Sequence, residues 1–178
     1  MRKVVVYELV SLDGVAEAPN RFFTAWDEVM DANLDRVIST QDAVVLGRRT
    51  YDEWAEYWPT SDIEPFATFI NRVAKHVATS TPLAREWTNA TVIEGELAGF
   101  VRSLKEQPGG DIGVHASIAV AQSLLAAGVV DELRLIIAPM VVGGGRRLLD
   151  GLSAIRLEPI RDASTASGHL LVDYRVAD

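Results

Sequence analysis

A mixed, mostly parallel α/β sheet with helices on both faces is the fold class this sequence predicts, and three observations lead to it. Strand-like runs alternate with helical patterns almost to the end of the chain, the arrangement that yields a parallel sheet. The run Ala43-Val44-Val45-Leu46 is short and continuously apolar, as a strand buried on both faces is. The last two strand-like runs, about 156–160 and 170–176, are joined by Ser, Thr and Gly residues and read as an antiparallel hairpin at a sheet edge.

Each element has its own signal. Residues 3–10 are β-branched and apolar and end in Ser11-Leu12-Asp13-Gly14, a turn sequence. A polar loop with Pro19 and Asn20 follows. Trp26, Val29, Met30, Leu34, Val37 and Ile38 recur at helical spacing and predict an amphipathic helix over 26–38. After the strand at 43–46, a short helix is expected from Tyr51, a loop over 59–65 and a helical turn over 66–73. Residues 75–79 and 91–93 are two more short strands. Leu97, Phe100, Val101 and Leu104 mark one face of a helix stopped by Pro108-Gly109-Gly110. A strand at 111–114 runs into a helix over 117–127, with Ser117 as a natural N-cap and Gly128 as its stop. A strand at 132–138 and a glycine-rich loop at 139–147 precede the hairpin.

Composition narrows the function. The 178 residues are expected to form one domain, with no repeat or linker to divide it. There is no cysteine, which removes disulfides, thiolate catalysis, Cys-based zinc sites and iron–sulfur clusters and fits a cytoplasmic setting. No long apolar run follows Arg2-Lys3, so no signal peptide is expected. The apolar stretch 135–142 is too short to span a bilayer and contains Pro139. A formal net charge of −8 argues against a nucleic-acid partner. His76, His115 and His169 lack the spacing of metal ligands, and no Gly-x-Ser-x-Gly elbow marks a serine hydrolase.

In open α/β sheets ligands bind at the carboxyl ends of strands, which directs attention to three junctions. The first is Gly47-Arg48-Arg49-Thr50. A glycine at a strand end, a helix N-terminus and two guanidiniums suit a phosphate. Thr50-Tyr51-Asp52-Glu53 also matches a capping box, so Thr50 could simply start the helix. The second is Val114-His115-Ala116-Ser117-Ile118, where a phosphate could lie against amides and His115 could be either a general acid or a structural residue. The third is Gly143-Gly144-Gly145-Arg146-Arg147, with a flexible turn as the alternative reading.

Ser11-Leu12-Asp13-Gly14 and Leu46-Gly47-Arg48-Arg49-Thr50-Tyr51 together resemble the dihydrofolate reductase fold. More specific is Ala127-Gly128-Val129-Val130-Asp131-Glu132-Leu133-Arg134-Leu135, followed by Ala138-Pro139 and Val142-Gly143-Gly144-Gly145. It resembles the reductase domain of bacterial riboflavin biosynthesis and its stand-alone relatives, with the likeness running over 4–176. That resemblance implies a three-layer fold around a mixed sheet, NADPH as hydride donor, a small pteridine- or pyrimidine-like substrate and a homodimer. It places Gly47, Arg48, Arg49 and Thr50 against the cofactor phosphates. Thr79 and Ser80 would lie near the adenosine ribose or its 2′-phosphate, Val114, His115, Ala116, Ser117 and Ile118 around the pyrophosphate, and Gly14 beside the nicotinamide. An acid on the first helix grips the ring in dihydrofolate reductases; spacing from Gly47 puts Asp31 there, with a plain surface residue as the alternative. Loop 15–25 and residues 54–58 are expected to shape the substrate pocket.

The sequence departs from that family at Ala116, usually glycine, at Ile118, often glycine, and at Thr81-Pro82, where an arginine often follows the serine. These departures keep two further readings open: a dinucleotide-binding module without activity, and a structural dimer of the same fold.

Overall fold

The computed structural model describes residues 1–177. Among them eight strands form one sheet: β1 (Val4–Ser11), β2 (Gln41–Gly47), β3 (Ala74–Ala78), β4 (Ala90–Val92), β5 (Asp111–His115), β6 (Glu132–Ala138), β7 (Leu157–Ser164) and β8 (Leu170–Val176). Their order across the sheet is β4-β3-β2-β5-β1-β6-β8-β7. The first six pair in parallel, and β8 runs antiparallel to both β6 and β7. This is the mixed sheet with a C-terminal antiparallel hairpin that the sequence predicts.

Among the described residues five α-helices cover the two faces: α1 (Glu28–Ile38), α2 (Arg48–Tyr57), α3 (Phe66–Arg72), α4 (Leu97–Glu106) and α5 (Ile118–Ala126). Successive strand side chains point to opposite faces, so each central strand feeds two cores. Val4, Val6, Val45 and Val114 pack with Val101 and Leu104 of α4 and Val120 and Leu124 of α5. Tyr7, Val44 and Leu46 pack on the other face with Met30 and Val37 of α1, Tyr51 of α2 and Ile70 of α3. Strands buried on both faces need apolar residues at every position, which is why β2 reads as a continuous run.

Among the boundaries that differ from expectation, three have a clear local cause. Helix α1 begins at Glu28 because the Asp27 carboxylate caps it, accepting from the amides of Val29 and Met30 at 3.1 Å. Trp26 therefore stands outside the helix and is exposed. Helix α2 begins at Arg48 with Gly47 as its N-cap, so Thr50 lies inside the first turn and the capping box does not form. Strand β7 extends to Ser164, with a register shift between Pro159 and Arg161; an edge strand tolerates a proline that cannot donate.

Lys75 is a buried exception in β3. Its ammonium donates to the carbonyls of Ile70 and Val73 at 2.8 and 2.9 Å, closing the C-terminal end of α3, and lies 4.5 Å from the Trp87 ring centroid. Burial pushes its pKa down to about 8.

Candidate functional site

The carboxyl ends of β1, β2 and β5 open into a cleft of about 890 Å³. Its framework is the meeting of two helix N-termini. Ser117 occupies the N-cap position of α5, yet its hydroxyl does not cap that helix. It accepts from the Gly47 amide at 3.0 Å and donates to Thr50 Oγ1 at 3.1 Å. Thr50 Oγ1 in turn donates to the Ala116 carbonyl at 2.8 Å. The chain of donors and acceptors is complete, and it ties the start of α2 to the start of α5. Both helix ends carry partial positive charge and unpaired amides, the property that draws anions.

Ala116 holds the turn into α5 with φ of 49°, a left-handed conformation that glycine adopts without strain. The backbone shape that a glycine favours is thus kept by an alanine. His115, one residue earlier, is buried, its Nε2 donating to Gln41 Oε1 at 2.8 Å and its ring packed 5.6 Å from that of Phe66. Burial pushes its pKa down to about 3, so it has no proton to give near neutrality. Of its two sequence readings, the structural one fits.

The two arginines differ. Arg48 donates through Nε to the Asp52 carboxylate at 2.7 Å and through NH1 to Thr81 Oγ1 and the Pro82 carbonyl, both at 2.7 Å. It is held against the loop after β3, where Thr79 Oγ1 donates to the Thr81 carbonyl at 3.1 Å. Arg49 is 73% exposed and pairs loosely with Glu53 at 3.2 Å and Glu17 at 3.7 Å.

Gly47, Arg48, Arg49, Thr50, His115, Ala116, Ser117, Ile118 and Asp31 all line the cleft; Gly14, Thr79, Ser80 and Val114 do not. Val114 is buried in the core. Gly14 sits in the turn after β1 at φ 82°, its carbonyl accepting from the Leu148 amide at 3.0 Å. Beside it, the Asp13 carboxylate accepts from Ser11 Oγ at 2.6 Å and from the amides of Val142 and Gly143 at 3.0 and 2.9 Å. Those bonds hold Asp13 well below the usual carboxylate range. They also make the glycine-rich loop a fastened element rather than a loose turn.

The opposite wall is aromatic. Trp54, Trp58 and Phe66 contact one another edge to face, with centroids 4.8–5.9 Å apart. Asp31 faces this side and accepts from Trp26 Nε1 at 2.6 Å. Sequence reasoning missed Glu8, which is buried in the cleft floor and accepts from the Ser117 amide at 3.1 Å. Burial pushes its pKa up to about 8. The available signal was one acid inside an otherwise apolar strand.

Residues 2–168 match the RibD C-terminal domain. The chain belongs to that family. Among its relatives, the RibD C-terminal chain is 25% identical to the uncharacterized protein YyaP of Bacillus subtilis, over 97% of this chain and 94% of that protein. Of solved structures, a putative riboflavin biosynthesis protein from Shewanella superposes with a TM-score of 0.79 at 18% identity, over 99% of each chain. Dihydrofolate reductase from Enterococcus faecalis, complexed with NADP(H), superposes with a TM-score of 0.66 at 14% identity, over 99% of this chain and 97% of that one. The three-layer dihydrofolate reductase-like fold of this RibD C-terminal domain, a domain of reductase type, follows from these matches and the sheet order together.

Proposed function

We propose that the chain is an NADPH-dependent reductase that transfers hydride to a small pteridine- or pyrimidine-like heterocycle. The observation that carries this reading is the pair of helix N-termini joined through Ser117, with Arg48 and Arg49 beside them at one end of the cleft. Family membership and the fold shared with a reductase complexed with NADP(H) support it. The first turn of α2, which Gly47 starts and Thr50 closes, and the segment Ala116 to Ile118 present backbone amides to the phosphates, and Arg49 supplies a charged fork. Arg48 acts partly through Thr81, ordering the loop of Thr79 and Ser80. Bound there, the cofactor supplies the hydride.

At the other end Trp54, Trp58 and Phe66 offer a face for a flat ring, and Asp31, oriented by Trp26, accepts from a donor on its edge. Gly14 contributes through the fastened turn beneath the glycine-rich loop. The same reading carries a homodimer, one domain over 1–178 and a cytoplasmic setting. Calorimetric titration with NADPH and NADH, followed by NADPH consumption with pteridine and aminopyrimidine probes, tests it. Binding of neither cofactor refutes it.

One observation favours a second reading, a dinucleotide-binding module without activity. The Ala116 methyl stands at a left-handed position in the cleft lining where a phosphate would approach closely. Tight cofactor binding with no consumption across the probe set would select that reading.

A further inference from the structure

Five carboxyls line the cleft, those of Glu8, Glu17, Asp31, Glu53 and Glu64, and only Glu8 is buried. It sits on the central strand β1, opposite Leu135 of β6 and level with the turn that leaves β5. Its Oε1 takes the amide of Ser117, at the head of α5. That amide belongs to the helix end which would meet an anionic ligand. An internal acid and an external anion therefore address the same donor.

Among the described residues no basic side chain bonds to Glu8. Tyr7 and His115, on the other face of the sheet, stay uncharged, since burial raises the phenol and lowers the imidazole. The cations of the cleft, Arg48 and Arg49 on α2 and Arg146 on the glycine-rich loop, make no bond to it. Its other acids, Glu17, Asp31, Glu53 and Glu64, make none either and are less buried. The Ser117 amide is the group that answers the Glu8 carboxyl, and burial works against its charge.

We propose that Glu8 is a specificity-determining residue of the cleft: its carboxyl shares the Ser117 amide with the phosphate of an anionic ligand, which the cleft accepts only while Glu8 carries its proton. This rests on the cofactor reading above. As a carboxylate, Glu8, itself buried, would repel a phosphate lying against the Ser117 amide. As a neutral acid it gives up the Ser117 amide at small cost and donates its own O–H to a phosphate oxygen, a charge-assisted bond. The raised pKa of about 8 makes the neutral form the resting one near neutrality.

The test compares the unmodified chain with Glu8→Gln, which keeps the shape and cannot ionise, and Glu8→Ala, which frees the amide. NADPH affinity is measured by calorimetry at pH 7 and pH 9, with thermal melts confirming that each protein is folded. The ratio of affinities between proteins at one pH cancels the titration of the ligand's own 2′-phosphate. Relative to either variant, the unmodified chain should lose roughly tenfold between the two pH values, the slope expected above a pKa near 8. A ratio that stays constant in both variants overturns the shared amide and leaves the cofactor reading standing. Loss of binding at pH 7 in folded Glu8→Gln also overturns it, because the amide N–H can replace the carboxyl donor. Absence of NADPH binding in all three proteins overturns both readings.

Discussion

Replacing Ser117 with alanine removes one oxygen on which two groups depend. The Gly47 amide loses its acceptor at 3.0 Å and the Thr50 hydroxyl loses its donor at 3.1 Å. Thr50 keeps its own bond to the Ala116 carbonyl, so its share of the loss is the smaller. An unsatisfied buried N–H costs about 1–3 kcal/mol, toward the lower figure where water can enter, as it can beside a cleft. Ser117→Ala should therefore destabilise the fold by about 1–3 kcal/mol. For a chain of this length each kcal/mol lowers Tm by about 2–4 °C. Urea unfolding with an unchanged slope is the assay. A cycle with Thr50→Val should show a coupling of at least about 0.5 kcal/mol, because the two hydroxyls bond directly. Loss below that figure with no coupling would mean that the helix ends are held by packing alone, and would remove the framework of the site.

Replacing Arg48 and Arg49 together with alanine should weaken NADPH binding at least about tenfold, the equivalent of roughly 1.4 kcal/mol, and NADH less if they read the 2′-phosphate; unchanged calorimetric affinity for both cofactors in a folded mutant would exclude the pair. Gly113→Ala should lower Tm sharply, since the added Cβ would lie 2.7 Å from His115 Nε2 and push apart the His115–Gln41 bond; a melt within a degree or so of the parent would contradict the packing described. Lys75, with a folded pKa of about 8 against 10.5 ordinarily, binds fewer protons folded than unfolded in that interval, so it makes stability rise with pH from about 8 to 10.5. Denaturant midpoints for Lys75→Met should lack that rise, and an unchanged slope would show that Lys75 is not desolvated. Glu8 acts in the opposite direction: its raised pKa contributes stability that is full below about 4.5 and is lost as pH climbs through about 8, and Glu8→Gln should flatten that fall.

The sheet was legible because its signals are local. Apolar runs of strand length, glycine stops and the change from period 2 to helical spacing each declare an element without reference to the others. The hairpin was visible in Ser, Thr and Gly residues between two alternating runs, although β7 hid its last residues behind Pro159. The junctions at Gly47 and Ser117 were found for the same reason. What joins them was not: the bond from Ser117 to Thr50 spans 67 positions and exists only once β2 and β5 are neighbours. The capping box at Thr50 failed because Gly47 had already started the helix, leaving the threonine hydroxyl free for the Ala116 carbonyl. Glu8 was passed over because a strand that alternates faces gives no sign of which one opens into a cleft.

Charge balance around the cleft bears on how a chain of net charge −8 would present the anion site proposed above. Its cations are covered by carboxylates in unequal degree. Arg48, 28% exposed, is fixed by an Nε–H shared between both Asp52 carboxylate oxygens and by the Thr81 and Pro82 oxygens, so a ligand must displace several good bonds to use it. Arg49 is far more exposed, and its pairs with Glu53 and Glu17 are long. Exposed pairs of that kind contribute about 0.2–1 kcal/mol, whereas a charge-assisted bond to a phosphate contributes about 1.5–3 kcal/mol. The exchange at Arg49 would therefore run toward a bound phosphate, while Arg48 is the strut that fixes the loop of Thr79 and Ser80. On the proposed reading, selectivity would rest on which anions meet two converging helix ends at once: a diphosphate long enough to touch the first turns of both α2 and α5 would gain from each, and a lone carboxylate from one.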